Sequence, residues 1–220
     1  MTYAVTQSAL RHKAYERFKE RLFAEALKPG QFVSQRELSE IVKVPIGPLR
    51  EALKRLEAEA LVRLIPQRGI QITELNVTML NESFGLRRIL ELAAARHFAA
   101  EAPMPVIREI EALTERVMKR VRANPNRENL DEALRVDWML HDLIIDRMGN
   151  KTLTDVHRIN FDKIRLARQH RRFTPERVSP ALEEHMAVIA AFRARDPEAA
   201  AAALDRHLTI AHHRAVGLAP

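Results

Sequence analysis

The chain has 220 residues, of which 46% are hydrophobic and 30% charged, a balance that permits a sizeable buried core and argues against a disordered protein. Six glycines, two tyrosines and one tryptophan are fewer than a β-sandwich or barrel would use, so the composition favours a mostly α-helical fold. The net charge of +7 suits a polyanionic partner, and the absence of cysteine excludes disulfides and thiolate metal sites, leaving His, Asp and Glu as metal ligands.

The chain begins with MTYAVTQSAL, which lacks the apolar segment of a signal peptide. No later stretch has the roughly 18 uncharged apolar residues that a membrane-spanning helix needs. We therefore expect a cytoplasmic protein that has no membrane partner.

Two helices are predicted at the start of the chain. Apolar residues recur at helical spacing over residues 6–27, and Pro29-Gly30 ends this first run. Ser34 and Glu37 then form the pattern of a capping box, in which the hydroxyl and the carboxylate each accept a hydrogen bond from the other residue's backbone N–H. This pattern predicts a short second helix that ends near Val42.

A third helix and a hairpin follow. The segment LREALKRLEAEALV places leucines along one side of a helix that ends near Ala60. The segments LVRLI and GIQIT flank PQRG, which predicts two short strands joined by a turn. Three helices and a hairpin make a winged helix-turn-helix, which we assign to residues 1–75.

The region from residue 76 to residue 220 predicts a second domain, an antiparallel bundle of six helices. Its helical stretches are separated by residues that end or start helices. These breaks lie at Pro103, Asn124-Pro125, Gly149-Asn150, Thr174-Pro175 and Asp196-Pro197.

Four basic residues and one glycine are the candidates for DNA contact. A helix-turn-helix lays its second helix in the major groove, while other elements contact phosphates. The candidates are Arg36, Arg50, Lys54, Arg68 and, at the tip of the wing, Gly69. Any one of these cations could instead lie on an ordinary solvated face, but their grouping in this topology favours double-stranded DNA.

The segment PGQFVSQRELSEIVKVPIGPLREALKRLEAEALVRLIPQRGIQI resembles the DNA-binding domain of the GntR family of bacterial regulators. The resemblance covers most of residues 28–72. It implies that Arg36 and Arg50 contact operator DNA and that Gly69 lets the wing backbone approach the minor groove.

The start of the third helix departs from the family pattern. Where the family has Ser or Thr followed by Arg, this chain has Pro45-Ile46-Gly47. Proline has no capping hydroxyl, and Ile46 cannot make the bidentate contact to guanine that an arginine makes. The family's operator sequence therefore does not carry over to this chain.

Histidines occupy apolar stripes on three helices of the second domain. Asp137 and His141 are one turn apart on one helix, and His185 and His207 lie in the stripes of two others. A single buried histidine is usually a hydrogen-bonded core residue. Three of them with a carboxylate favour a divalent metal, zinc first, with nickel, manganese or iron as alternatives.

The family resemblance continues in this region. The segments RRILELAAARHFAA, DWMLHDLI with MGN, and EEHMAVIAAFRARDPEAAAAALDRHL are similar to the FCD effector-binding domain of the FadR subfamily. Six helices point to its VanR-type branch. The resemblance implies that Asp137, His141, His185 and His207 bind the metal, that a small carboxylate is the effector, and that the protein is a homodimer.

Four residues are candidates for effector binding. Arg87 shares a helix face with Leu80 and Phe84 and could pair with a carboxylate, although an Arg87–Glu91 salt bridge explains the same spacing. Glu91, Asn160 and Arg165 complete the candidate set. The remaining histidines of the second domain are expected on the surface or in the ordinary core: His97, His157, His170, His212 and His213.

Three classes of function are compatible with these patterns. A transcription regulator, and more specifically a repressor controlled by a metabolite, explains both predicted domains. A metalloenzyme could use the same ligands to activate water, but no second carboxylate or base is placed to move protons, and the winged helix would be unexplained. A domain that only dimerises would carry leucines in place of the histidines. We therefore predict a regulator that is not an enzyme.

Overall fold

A computed structural model describes residues 2–168 and 175–217 and confirms a mostly α-helical fold with a small sheet. The N-terminal elements are α1 (Thr2–Phe23), β1 (Phe32–Val33), α2 (Gln35–Val42), α3 (Ile46–Ala58), β2 (Val62–Ile65) and β3 (Gly69–Ile72). Six longer helices follow: α4 (Val77–Glu101), α5 (Met104–Ala123), α6 (Arg127–Asp146), α7 (Lys151–Arg168), α8 (Pro175–Arg193) and α9 (Pro197–Val216). This order confirms the winged helix-turn-helix and the six-helix bundle.

Helix α1 ends earlier than its sequence pattern predicts. Ala14, Phe18 and Leu22 are fully buried, as the helical spacing requires. The helix ends at Phe23, and Glu25 takes a positive φ of 60° that no helix allows. Past the end of the helix Ala26 is exposed and Leu27 is fully buried, so the apolar run does not continue as one helix face.

The predicted capping box starts α2. The Ser34 hydroxyl accepts from the Glu37 backbone N–H at 3.1 Å, and the Glu37 carboxylate accepts from the Ser34 N–H at 3.4 Å. The other end of α2 is held by Arg17 of α1, whose guanidinium donates to the carbonyls of Val42 and Lys43. Both ends of this short helix therefore have partners for backbone groups that a helix leaves unpaired.

The sheet has the strand order β1-β3-β2, so the predicted hairpin is present and gains a third strand. Strand β1 has two residues, too few to show an alternating pattern in the sequence. Its Val33 faces Ile70 of β3. Gly69 stands where β3 begins, with φ of +97°, and a Cβ on it would lie 2.9 Å from the Val33 carbonyl oxygen. The fold of the wing therefore requires glycine at this position, independently of the DNA contact predicted for Gly69.

Gly69→Ala is expected to lower the free energy of unfolding by about 1–3 kcal/mol, because alanine is strained at this φ and its methyl would meet the Val33 carbonyl. Urea unfolding followed by circular dichroism measures the change. Gly47→Ala is the matched control, since no described atom lies within 4 Å of a Cβ there. A Gly69→Ala protein as stable as the control would refute this reading of the wing.

The helices that follow Val77 enclose a core of their own. Its most buried side chains include Phe98 of α4, Ile144 of α6, Phe192 of α8 and Leu204 of α9. The predicted breaks separate these helices, with Pro175 as the first residue of α8 and Asp196 capping α9 through a hydrogen bond from the Ala199 N–H. None of the helices in the described ranges has the length and apolar character of a membrane span.

The chain divides into two compact units. One contains the described residues within 1–76 and 162–170, and the other contains those within 77–161 and 171–220. Helix α7 contributes to both, since its last part, from Asp162, groups with the N-terminal residues. The sequence gives no sign of this division within α7, and the domains 1–75 and 76–220 stay a prediction.

Candidate metal centre and nucleic-acid interface

Four side chains from three helices of the bundle converge at one point. Asp137 and His141 come from α6, His185 from α8 and His207 from α9, and each is buried. Each offers one ligand atom, and these four atoms lie within 4.8 Å of one another. The structure thus brings together all four residues that the sequence proposes as metal ligands.

The imidazoles of this cluster present ring nitrogens to one another. Nε2 of His185 lies 3.2 Å from Nε2 of His207 and 3.6 Å from a carboxylate oxygen of Asp137. Burial lowers the pKa of His185 to about 4, although the negative charge of Asp137 opposes the shift. At neutral pH His185 is therefore uncharged and keeps a nitrogen lone pair, which is the form that binds a metal.

Two further carboxylates orient the histidines. Nδ1 of His141 lies 2.7 Å from Glu91, and Nδ1 of His207 lies 2.8 Å from Glu184, which also accepts a hydrogen bond from Arg214. Because a carboxylate accepts, each Nδ1 is the donor, so the neutral form of each ring has its lone pair on Nε2. Carboxylates commonly hold metal-binding histidines in this way.

The donor set of the cluster fits a divalent transition metal. Three imidazoles and one carboxylate suit zinc and its neighbours in the first transition row, whereas calcium and magnesium prefer oxygen ligands. The close approach of the His185 and His207 nitrogens fits a shared cation between them. The cluster can therefore hold a divalent metal.

A buried ion pair supports this cluster from α4. Nε of Arg87 donates to Glu91 at 2.6 Å, and the two side chains are 1% and 0% exposed. Burial alone would raise the pKa of Glu91, but Arg87, His141 and His157 outweigh it and hold that pKa well below its usual range. The sequence allows Arg87 to pair with an effector carboxylate or to form a salt bridge with Glu91. The structure shows the salt bridge.

The structure adds His157 and Glu184 to the site. His157 is fully buried, which is the core alternative expected for it, and its Nε2 lies 3.0 Å from the Glu91 carboxylate. The spacing of His157, Phe161 and Ile164 on α7 is that of a buried helix face and could have revealed it. Glu184 is adjacent to a predicted ligand, and the sequence gives no further sign of its role.

The other histidines are placed apart from the four-residue cluster. His97 and His213 are exposed. His212 stacks on Phe84, with 4.8 Å between ring centroids, and hydrogen-bonds Asn81. His170 lies outside the described residues.

The remaining effector candidates differ in position. Asn160 is buried, and its amide nitrogen donates to the Ser83 carbonyl at 2.9 Å, within the same compact unit as the cluster. The guanidinium of Arg165 lies 3.9 Å from the centre of the Phe23 ring, in the N-terminal unit. The structure does not bring Arg165 to the cluster, and an effector role for either residue stays a prediction.

The DNA-contact candidates lie on exposed parts of the N-terminal unit. Arg50 and Lys54 are on the exposed side of α3, where Arg50 donates to Gln35 at 2.7 Å. The Arg36 side chain on α2 is 87% exposed. Arg68, beside Gly69 in the wing, lies over the Phe32 ring at 4.8 Å. These positions leave the cations accessible to a large partner.

The start of α3 has the features that its sequence predicts. Pro45 is the N-cap residue, and no side chain of the described residues caps the helix there. The Pro45 carbonyl still accepts the first helical hydrogen bond, from the Leu49 N–H at 3.2 Å. Ile46 and Gly47 follow and are exposed. The helix therefore begins with a surface that has no charged or hydrogen-bonding side chain.

Two family models match the chain. The model described as "FCD domain" matches residues 82–209, more than half of the sequence. The model described as "Bacterial regulatory proteins, gntR family" matches residues 10–72. Together they cover both compact units.

Individual relatives agree with these matches. The chain is 25% identical to the HTH-type transcriptional regulator YdhC of Bacillus subtilis over 84% of this chain and 82% of the relative. It is 25% identical to the HTH-type transcriptional repressor RspR of Escherichia coli, over 83% of this chain and 78% of the relative. The solved structure of E. coli McbR/YncC has the same fold, with a TM-score of 0.75, 21% identity and coverage of 91% and 93%. The family models and the two named curated relatives describe transcription regulators, and they give the metalloenzyme alternative no support.

Proposed function

The chain belongs to the GntR family of bacterial transcription regulators and carries an FCD domain, and we propose that a small carboxylate controls its DNA affinity from a metal in that domain. The ligands would be Asp137, His141, His185 and His207. The observation that carries this proposal is the convergence of four buried donor atoms within 4.8 Å. A bound divalent metal would supply a Lewis-acidic attachment point for a carboxylate oxygen.

The residues around the cluster support a metal role over a structural one. Burial favours the uncharged form of His185, and Glu91 and Glu184 turn Nε2 of the other two histidines toward the cluster. A purely structural core would gain more from leucine at these positions, because each buried polar group must find a partner. We infer that the four candidate ligands, which come from three helices, bind one cation together.

Buried polar side chains lie beside the cluster, and we propose that they border the effector site. The Arg87 guanidinium faces the rings of Phe84 and Phe161 at 5.5 Å and 5.0 Å while it pairs with Glu91. Asn160 adds a buried amide. We infer that Arg87, Glu91 and Asn160 set the polarity of the effector site. The position of Arg165 over Phe23 gives it no comparable support.

Helix α7 offers a route from the metal cluster to the DNA-binding elements. Its His157 contacts Glu91, which holds the ligand His141. Later in the same helix Asp162 forms an ion pair with Lys19 of α1, and Leu166 is buried in the core of the N-terminal unit. Helix α7 thus carries residues of both units, and we propose that it takes part in the coupling.

The proposed partner is double-stranded operator DNA, bound by a homodimer in the cytoplasm. Exposed cations on α2, α3 and the wing support the DNA contact, and two-fold proteins of this architecture match palindromic half-sites. The relative RspR is named as a repressor, and we propose the same direction of regulation here.

Arg50→Ala is expected to weaken operator binding by roughly 5- to 150-fold, since one specific contact contributes about 1–3 kcal/mol. Fluorescence anisotropy with a duplex selected by the wild-type protein measures the loss. Arg116→Ala, at an exposed arginine of α5 in the other unit, removes the same charge and should bind like wild type. An Arg50→Ala protein that binds as tightly as this control would overturn the proposed DNA contact.

A further inference from the structure

We propose that Ile46 reads the methyl group of a thymine in the operator, which makes it a specificity-determining residue of the recognition helix. The proposal rests on the proposed DNA-binding function and goes beyond it, because it names the base that the first helical residue of α3 selects. The family's arginine would select guanine at this place, and the chain lacks that arginine.

The position of Ile46 places it at the base edges. It is the first residue of α3, and the first residues of a recognition helix are those that contact bases in the major groove. The side chains that α3 buries are those of Pro48, Leu49, Ala52, Leu53 and Leu56. Ile46 is instead 38% exposed, and it shares the exposed side with Arg50 one turn later. A large apolar side chain is thus exposed at the start of α3, on the side of the helix that would face DNA.

The neighbours of Ile46 allow a close approach to DNA. Gly47 has no side chain, and a Cβ there would meet no described atom within 4 Å, so the backbone of the first turn can come near the base edges. Pro45 fixes the chain before the helix and offers no polar atom in its side chain. Ile46 is therefore the side chain that fills the space between this turn and the bases.

The chemistry of the major groove selects thymine for such a side chain. Thymine alone carries a methyl group there, beside its O4 acceptor, while the major-groove edges of guanine, adenine and cytosine are recognised by their hydrogen-bonding groups. Ile46 has no donor or acceptor, so covering those polar groups would remove them from water without a new partner. Against thymine it buries apolar surface on both sides of the contact. The expected preference is about fourfold for each contacted methyl group.

The test uses DNA in which the methyl group alone is removed. A duplex operator is first selected by the wild-type protein, and each thymine is then replaced in turn by deoxyuridine, which pairs identically but lacks the methyl. We expect wild type to bind about fourfold more weakly at the contacted thymine. Ile46→Ala should lose this sensitivity, and Ile46→Val should keep it, because valine retains an apolar branched side chain.

A second substitution separates the methyl from the base pair. Cytosine at the same position should weaken wild-type binding, and 5-methylcytosine should recover part of the loss. Insensitivity of the wild-type protein to every deoxyuridine, or equal sensitivity in wild type and Ile46→Ala, would overturn the proposal. Failure of the wild-type protein to select or bind any duplex would instead overturn the proposed DNA-binding function, so the two failures are distinguishable.

Discussion

Replacing His185 and His207 together by alanine is expected to abolish metal retention by the purified chain. The two residues supply two of the four converging ligand atoms and come from different helices, α8 and α9. Asp137 and His141 would remain as a pair from one helix, too few to retain a metal through purification. Inductively coupled plasma mass spectrometry of the protein measures the metal content per chain.

The same double variant should lose the response of DNA binding to the effector. Native mass spectrometry of the wild-type protein identifies the small molecule that it retains, and this molecule is then titrated into the operator complex. A coupling free energy of about 1–3 kcal/mol predicts a roughly 5- to 150-fold change in the operator affinity of wild type. The double variant should show no change, while its affinity without effector stays close to that of wild type.

A matched control replaces two histidines that lie away from the cluster. His97 and His213 are exposed, on α4 and α9, and their replacement by alanine should leave metal content and effector response as in wild type. If the His185 and His207 double variant behaves like this control, the metal assignment is wrong, and the buried histidines are ordinary hydrogen-bonded residues of the core.

Glu91→Ala is expected to lower the free energy of unfolding by about 3–5 kcal/mol, because it leaves the Arg87 guanidinium buried without its carboxylate. The hydrogen bonds to His141 and His157 are lost as well. Urea unfolding in the presence of a metal chelator measures the change, so that loss of metal binding does not contribute.

The control for this variant is an exposed ion pair of the same kind. Glu198→Ala removes a carboxylate that pairs with Arg96 at 2.8 Å, where the two side chains are 76% and 45% exposed and water screens the charges. It should change stability little. Combining Glu91→Leu with Arg87→Met should recover part of the loss, since replacing both members of a buried pair by apolar groups leaves no unpaired charge. A Glu91→Ala protein as stable as Glu198→Ala would contradict the role given to the pair.

Local patterns predicted much of this fold because they act over a few residues. The capping box of Ser34 and Glu37 is a contact between near neighbours, and it starts α2 as expected. The pair Asp137 and His141 shares a helix face by spacing alone, so its joint burial on α6 could be foreseen. The convergence of this pair with His185 and His207 does not follow from spacing. Helical spacing places a residue on one face of its helix without showing which helix faces pack together.

The features that escaped prediction depend on contacts between distant segments. Strand β1 exists because Val33 pairs with Ile70, and two residues alone carry no pattern. The grouping of the end of α7 with the N-terminal residues depends on the burial of Leu166, which any apolar helix position could provide. His157 was recognisable as buried, but its contact with Glu91 is visible only once α4 and α7 are packed together.

The most direct test of the metal centre is X-ray absorption spectroscopy at the zinc edge, on the full chain after metal removal and reloading with zinc. We predict one zinc per chain, bound by three imidazole nitrogens and one carboxylate oxygen. These ligands would come from His141, His185, His207 and Asp137. Zinc binding below one equivalent per chain, or a coordination sphere with fewer than three imidazoles, would contradict the proposal that these four residues form the metal site.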